Sequence, residues 1–505
     1  MNKNTLFVSC RTNSVSRADT GRKQQGTADC GQGNCQSFIP HSSRLTSHSI
    51  LSAIPRLFFL LLISVLFAPG CYTHRNTAVN ARESFFQGDL SKASEILESQ
   101  GNKKTSRSGA SETNVCLLDQ AVIDLINGNP KQAESRLRTV RDSFDFLEQK
   151  SLGEAGLSML TDDNALSYAG EDYEKVMIRV FLTLSNLMSD GQDAKAYSYQ
   201  ISQKQNQIIQ AGKNPKTGEN PKALYKQVAV GAYFCGLLQE RDAAGKSDAA
   251  YWYNLLNQWN PAFDPAQENL HRAQSGVHSQ RGNGVVHVIA LVGRGPYKEE
   301  VEEPVTQAAL LIADQIVSAT SKYTVPPTVA PVKVPLMVRY RYSPRAVGIT
   351  VDGQKEFTTQ TVTSVGQMAL DQFEANKASI IGRAVARRII KKGALYAAKS
   401  GMNLENRNDG DIASLALDIA GIAWEATESA DTRCWGLLPD SIQAARIELP
   451  QGEHTLNLTA ITGTEGFAAQ GNAPASVTVS VRDAQDTYVL CCFPDSRLVG
   501  KVITK

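Results

Sequence analysis

The chain has 505 residues, 42% hydrophobic and 20% charged, enough for two or three globular domains and unlike a disordered or fibrous polymer. Its formal net charge of +2 hides an asymmetry, because residues 1–56 hold seven Lys/Arg against two acids, leaving 45 bases against 48 acids beyond Arg56. A mildly acidic body carries no electrostatic footprint for nucleic acid.

Residues 1–56 are polar, rich in Ser, Gln, Asn and Gly, and lack hydrophobic periodicity. They read as a disordered leader or one assigned upstream of the true start. Arg56 is followed by the apolar run Leu57–Phe67 and then Ala68-Pro69-Gly70-Cys71. About a dozen apolar residues fall short of the roughly 20 that a spanning helix needs. They match the core of an export signal, so residues 57–70 read as its apolar region and cleavage site. The segment resembles a bacterial lipobox, with Ala68 where Leu is commonest and Pro69 beside the cut. The resemblance implies lipid attachment at Cys71, whose thiolate is the nucleophile; ordinary cleavage at Ala-Pro-Gly is the alternative. Either way the expected location is the cell envelope, and the lipobox reading makes the chain a membrane-anchored lipoprotein facing the periplasm.

Residues 72–275 predict helical hairpins. Ala81, Phe85, Gly88, Ala93 and Leu97 recur 40 positions later as Ala121, Leu125, Gly128, Ala133 and Leu137. Gly88 and Gly128 fit left-handed turns between paired helices, and the alanines let the helices approach closely. The pattern resembles the tetratricopeptide repeat at a longer spacing. Val180–Met188 leading into Gly191–Ala196 predicts a third hairpin, and Tyr233–Leu238 with Ala249–Leu256 a fourth. The polar stretch from about Gln203 to Pro221 predicts a loop between them. Stacked hairpins leave a groove suited to peptide or protein segments.

Beyond residue 276 the period becomes strand-like. Val285–Val292 reads as a near-continuous apolar strand, and Thr306–Ala319 as a helix, followed by a stretch with Pro326, Pro327, Pro331 and Pro335. Leu336–Tyr342, Val347–Val351 and Phe357–Thr363 read as strands, the last two joined by Asp352-Gly353. Ala444–Leu449, His454–Leu458, Ser476–Val481 and Thr487–Cys492 complete eight strands, which favours a β-sandwich. A helical hairpin is inserted at about 372–430. Its first helix places Ile381, Val385, Ile389 and Tyr396 on one face and Arg383, Arg387 and Lys391 on another. Its second, Ile412–Thr427, is apolar on most sides. The bases read as a solvated face, with binding to anionic headgroups the alternative.

No phosphate-binding glycine loop, nucleophile elbow or His-Glu-x-x-His pair occurs, so no catalytic residue, metal ligand or cofactor is assigned. His74, His271, His278, His287 and His454 read as isolated surface or packing residues. The run Glu299, Glu300, Glu302, Glu303 reads as solvated charge. Cys116, Cys235, Cys434, Cys491 and Cys492 are spaced too irregularly for a disulfide framework and read as buried small hydrophobes.

The most specific motif is Ala430-Asp431-Thr432-Arg433-Cys434-Trp435, followed by Leu438-Pro439 and by Pro450-Gln451-Gly452-Glu453-His454-Thr455-Leu456. Asp431 and Arg433 can form a fork and Trp435 can bury its ring, which makes the motif a structural anchor for the following strand. With these residues, 57–492 resembles a family of uncharacterised bacterial envelope lipoproteins that join a lipobox, tetratricopeptide-like helices and a β-rich C-terminal part. This chain departs from it in having Cys434 where Ser is usual. The expected fold is α+β and multidomain: helical repeats over 72–275, then a β-sandwich with the inserted hairpin over 276–505. The expected role is a non-enzymatic scaffold or assembly factor that binds other envelope proteins through the repeat groove and the membrane through its lipid. The alternative is a cell-wall glycan- or peptide-binding module using the sandwich.

Overall fold

The computed structural model describes residues 72–101, 109–153, 167–214, 218–242, 244–341, 344–401, 429–463 and 474–505. The export segment with Cys71, and the helix expected over Ile412–Thr427, lie outside them. All described residues belong to one compact α+β unit, Pro69–Lys505.

Four hairpins come first: α1 (Tyr72–Phe86) with α2 (Leu90–Gly101), α3 (Gly109–Ile126) with α4 (Pro130–Gly153), α5 (Asp172–Leu187) with α6 (Ala194–Ala211), and α7 (Ala229–Glu240) with α8 (Lys246–Trp259). A further helix, α9 (Pro265–Ser275), ends at Gly276. Gly88 and Gly128 stand at φ +86° and +89°, where a β-carbon is strained. After each glycine the next N–H reaches back to a helix carbonyl, Asp89 to Ser84 at 2.9 Å and Asn129 to Asp124 at 2.8 Å. The 40-residue recurrence is thus a recurrence of backbone geometry. Ala81, Ala121, Ala93 and Ala133 are all buried where the helices touch.

The loop expected from Gln203 is instead helix as far as Ala211. Its polar residues have partners on the inside. Lys204 pairs with Asp145 at 3.0 Å and Glu148 at 2.6 Å, and Gln205 donates to the Lys226 carbonyl at 2.8 Å.

The sheet-bearing part runs β1 (Asn283–Val292), β2 (Tyr297–Glu303), α10 (Gln307–Thr320), β3 (Val332–Val338), β4 (Ala346–Val351), β5 (Lys355–Thr358) and β6 (Gln360–Ser364). It continues with α11 (Val365–Gly401), β7 (Ser441–Pro450), β8 (Gly452–Ile461), β9 (Ala475–Val481), β10 (Asp486–Phe493) and β11 (Ile503–Thr504). A five-stranded sheet has the order β11-β10-β1-β7-β6, a four-stranded sheet the order β5-β4-β8-β9, and β2 pairs with β3. Val286, Val288, Ala290 and Val292 of β1 share a core with Ile349, Leu456 and Leu458 of the four-stranded sheet. On the opposite face Ile289 and Leu291 join the core of the helices. A strand covered on both sides is apolar at consecutive positions, which accounts for the near-continuous run in β1.

Four expectations need correction. The glutamate run is strand β2, with Glu300 3.6 Å from Lys333 and Glu303 3.2 Å from Lys377. The strand expected at Leu336 begins at Val332; Pro335 is tolerated because β3 pairs on one side only. Phe357–Thr363 is two strands in different sheets. Between them Thr359 is buried, its hydroxyl donating to Gln443 Oε1 at 2.7 Å and accepting from the Val347 N–H at 2.9 Å. The inserted helix starts at Val365, and its basic stripe is not uniformly solvated: Arg387 is buried and Arg388 donates to the Pro331 carbonyl at 2.9 Å. Ile381 and Val385 pack on Ala309, Ala313 and Val317 of α10. Among the described residues no helix is long and apolar enough to cross a membrane.

Candidate functional site

The motif segment lies between the helices and the five-stranded sheet. Asp431 and Arg433 form the expected fork, with Nε to Oδ1 at 2.8 Å and Nη2 to Oδ2 at 2.7 Å. Burial works against the Asp431 charge, but Arg433 outweighs it and holds this carboxyl below the usual range. The Arg433 guanidinium stands 5.3 Å from the centre of the Tyr168 ring. Trp435 is fully buried, its ring 5.1 Å from that of Phe181.

Sequence reasoning did not find what receives this segment. The first helix of each of three hairpins contributes one charged side chain. Arg82 of α1 donates to the Cys434 carbonyl at 3.3 Å. Asp119 of α3 accepts the Leu437 N–H at 3.0 Å. Glu174 of α5 accepts the Trp435 N–H at 2.7 Å, the Tyr168 hydroxyl at 2.6 Å and the Glu171 N–H at 3.1 Å. The first helices of three hairpins therefore hold residues 434–437 of the chain itself. A β-carbon at Gly436 would run into the Arg82 guanidinium, which would have to move. Burial raises the Asp119 carboxyl to about 7 even beside Arg82, and raises Glu174. Burial also raises the Cys434 thiol, which keeps it protonated and un-nucleophilic. The available signal was an acid inside a buried apolar run: Asp119 lies between Leu118 and Ala121, both fully buried.

A second polar cluster joins the same two layers elsewhere. Asp486 of β10 holds His278 Nε2 at 2.9 Å and His287 Nε2 at 3.1 Å on one oxygen. The other ring nitrogen of His278 lies 3.3 Å from Glu240 of α7. Glu240 also accepts from Tyr253 of α8 at 2.7 Å and from Arg272 of α9. The His287 ring stacks on Tyr488. Burial opposes the charge on His278, but Asp486 and Glu240 raise it to about 9. Burial lowers His287, whose Nδ1 finds no partner among the described residues. His278, His287 and His454, read as isolated, are not: the first two share a carboxylate, and His454 sits 2.7 Å from Asp352. No local pattern announces a cluster whose members lie about 200 positions apart.

No protein family, curated protein or solved structure matches the chain. The site's own chemistry is that of a fastening, since each carboxylate in the two clusters accepts from at least one N–H or O–H group. Among the described residues Cys116, Cys235, Cys434, Cys491 and Cys492 are buried and outside any disulfide. Cys491 and Cys492 face opposite sides of the sheet, one in each core. Among the described residues no group of His, Cys, Asp and Glu is placed to hold a metal ion.

Proposed function

We propose that this chain is a non-enzymatic, lipid-anchored protein of the bacterial cell envelope, tethered through Cys71 and facing the periplasm. Its helices are read as tetratricopeptide-like repeats and its facing sheets as a β-sandwich with a helical insertion. It acts as a scaffold or assembly factor for other envelope proteins. With the first helices of three hairpins engaged by residues 434–437, the partner surface is the one formed by the second helices of the hairpins.

The observation that carries this reading is an aromatic cluster on two neighbouring second helices. Tyr199 of α6 and Tyr251 of α8 are exposed at 37% and 58%, and both contact Trp252, with ring centres 5.7 and 5.4 Å apart. Tyr and Trp dominate the energetics of protein interfaces, where they bury large rigid surfaces. The test is crosslinking in intact cells followed by purification of the tagged full chain. A defined envelope protein recovered with the wild type and lost in Tyr251→Ala/Trp252→Ala supports the scaffold. Recovery of cell-wall fragments with no protein overturns it. Labelling with a radioactive fatty acid, present in the wild type and absent in Cys71→Ser, tests the anchor.

A further inference from the structure

A cavity of about 500 Å³ opens where the start of α7 and the end of α8 meet β6 and α11, a volume within the range of small-ligand sites. Its walls mix apolar groups with amides and hydroxyls, among them Asn260, Thr361, Ser364, Gln367 and Gln372, with the half-buried indole of Trp259 alongside. The cluster does not belong to either fastening described above.

Gln372 makes this more than a polar crevice. It is 5% exposed, yet neither its Nε2 nor its Oε1 has a hydrogen-bond partner among the described residues. A buried polar group left unmatched costs about 1–3 kcal/mol, and a leucine of similar size would avoid that penalty. Gln227, also lining the cavity, has a buried Oε1 without a partner, while its Nε2 is committed to Asn206 at 3.0 Å. The unmet needs are therefore two carbonyl acceptors and one amide donor. Charged groups lining it have partners: Asp371 pairs with Lys226 at 3.1 Å and accepts from Gln367 at 2.7 Å, and Arg345 donates to the Gly463 carbonyl at 3.4 Å. Asn260 is also committed, donating to the carbonyls of Thr361 and Val362 and so holding the edge strand β6 in place as a wall.

A ligand matching these groups must donate and accept from adjacent atoms, carry no charge and offer an apolar face to an indole. Vicinal hydroxyls on a pyranose ring meet all three conditions, because each hydroxyl is donor and acceptor at once and the ring's C–H face suits an aromatic wall. We propose that this cavity binds a neutral saccharide unit, its hydroxyls pairing with the amides of Gln372 and Gln227 and its ring lying against Trp259. The site is independent of the scaffold reading and of the aromatic cluster on α6 and α8.

The test uses the full chain, titrated with tri-N-acetylchitotriose, maltotriose and cellotriose and followed by calorimetry and tryptophan fluorescence. At about 10 mM sugar a site with a Kd of about 1 mM is nearly full. Saturable binding of one of these sugars is expected, with a fluorescence change, weakened at least about tenfold in Gln372→Leu. Trp259→Phe, which keeps an aromatic ring, should weaken it several-fold and serves as the test if Gln372→Leu does not fold. Absence of binding to all three sugars overturns the proposal. So does binding that both variants leave unchanged, or displacement of the sugar by an uncharged decapeptide at equal concentration, which would make the cavity a peptide site.

Discussion

The two fastenings between helices and sheets solve one problem in different ways. At the motif segment, Asp119 and Glu174 receive main-chain N–H groups, so they fix the path of the backbone through a turn. At Asp486, the contacts run from side chain to side chain, and two of the partners are histidines. The first arrangement specifies where the backbone goes; the second specifies which residues stand there, and both contacts titrate. Their pH windows differ accordingly. Asp119 is raised to about 7, so its contribution is full below the ordinary carboxylate range and is lost as pH rises through about 7. His278 is raised from 6.5 to about 9, so its contribution is full below 6.5 and falls away as pH rises towards about 9. Asp486 and Glu240 are depressed by their basic partners, so they contribute above the carboxylate range and lose that contribution in acid.

The largest effect should come from the motif. Trp435→Ala empties a fully buried site beside Phe181 and is expected to cost about 3–5 kcal/mol, read as a fall in the urea midpoint. A smaller loss would mean that the segment is held by its N–H bonds alone, sharpening the contrast with the side-chain fastening. Next comes His278→Ala, expected to cost about 1–3 kcal/mol at pH 7 through lost pairing with Asp486 and Glu240. Its decisive sign is in the pH series: the melting temperature of the wild type should drop between about pH 6.5 and 9 more than that of the variant, the interval between the ordinary and the raised histidine values. Parallel curves would erase the distinction between the two fastenings. The smallest effect belongs to the hairpin turns, remote from both. Gly88→Ala meets no atom within 4 Å and Gly128→Ala only the Lys501 side chain, so each should cost about 1–2 kcal/mol from backbone strain alone. Thermal unfolding of the two single variants measures this.

Local features of the fold were legible because local rules governed them. Gly88, Gly128 and Gly191 stand at positive φ where the helices were expected to turn, and β1 declared itself by a run of eight residues, apolar but for His287. Features set by distant partners were not. Strand β2 hides among glutamates because their countercharges, Lys333 and Lys377, arrive later in the chain. The break at Thr359 depends on Gln443, and the helical extension to Ala211 depends on Asp145 and Glu148. The fork of Asp431 and Arg433 could be read from spacing, two residues apart. Its receivers, Arg82, Asp119 and Glu174, could not, because a buried charge in a helix resembles a surface charge until the covering segment is known.

The topology of the central sheet also sets an order of events in time. Strand β1 is hydrogen-bonded to β7 and β10, which begin at Ser441 and Asp486, so about 150 residues separate it from its first neighbour. A polypeptide emerging from the ribosome holds this oily ribbon unpaired until its last strands arrive, which makes the sheet slow to assemble and dependent on the far terminus. For a precursor exported as proposed, that delay is an advantage, because a molecule that cannot close early stays threadable through a secretion channel.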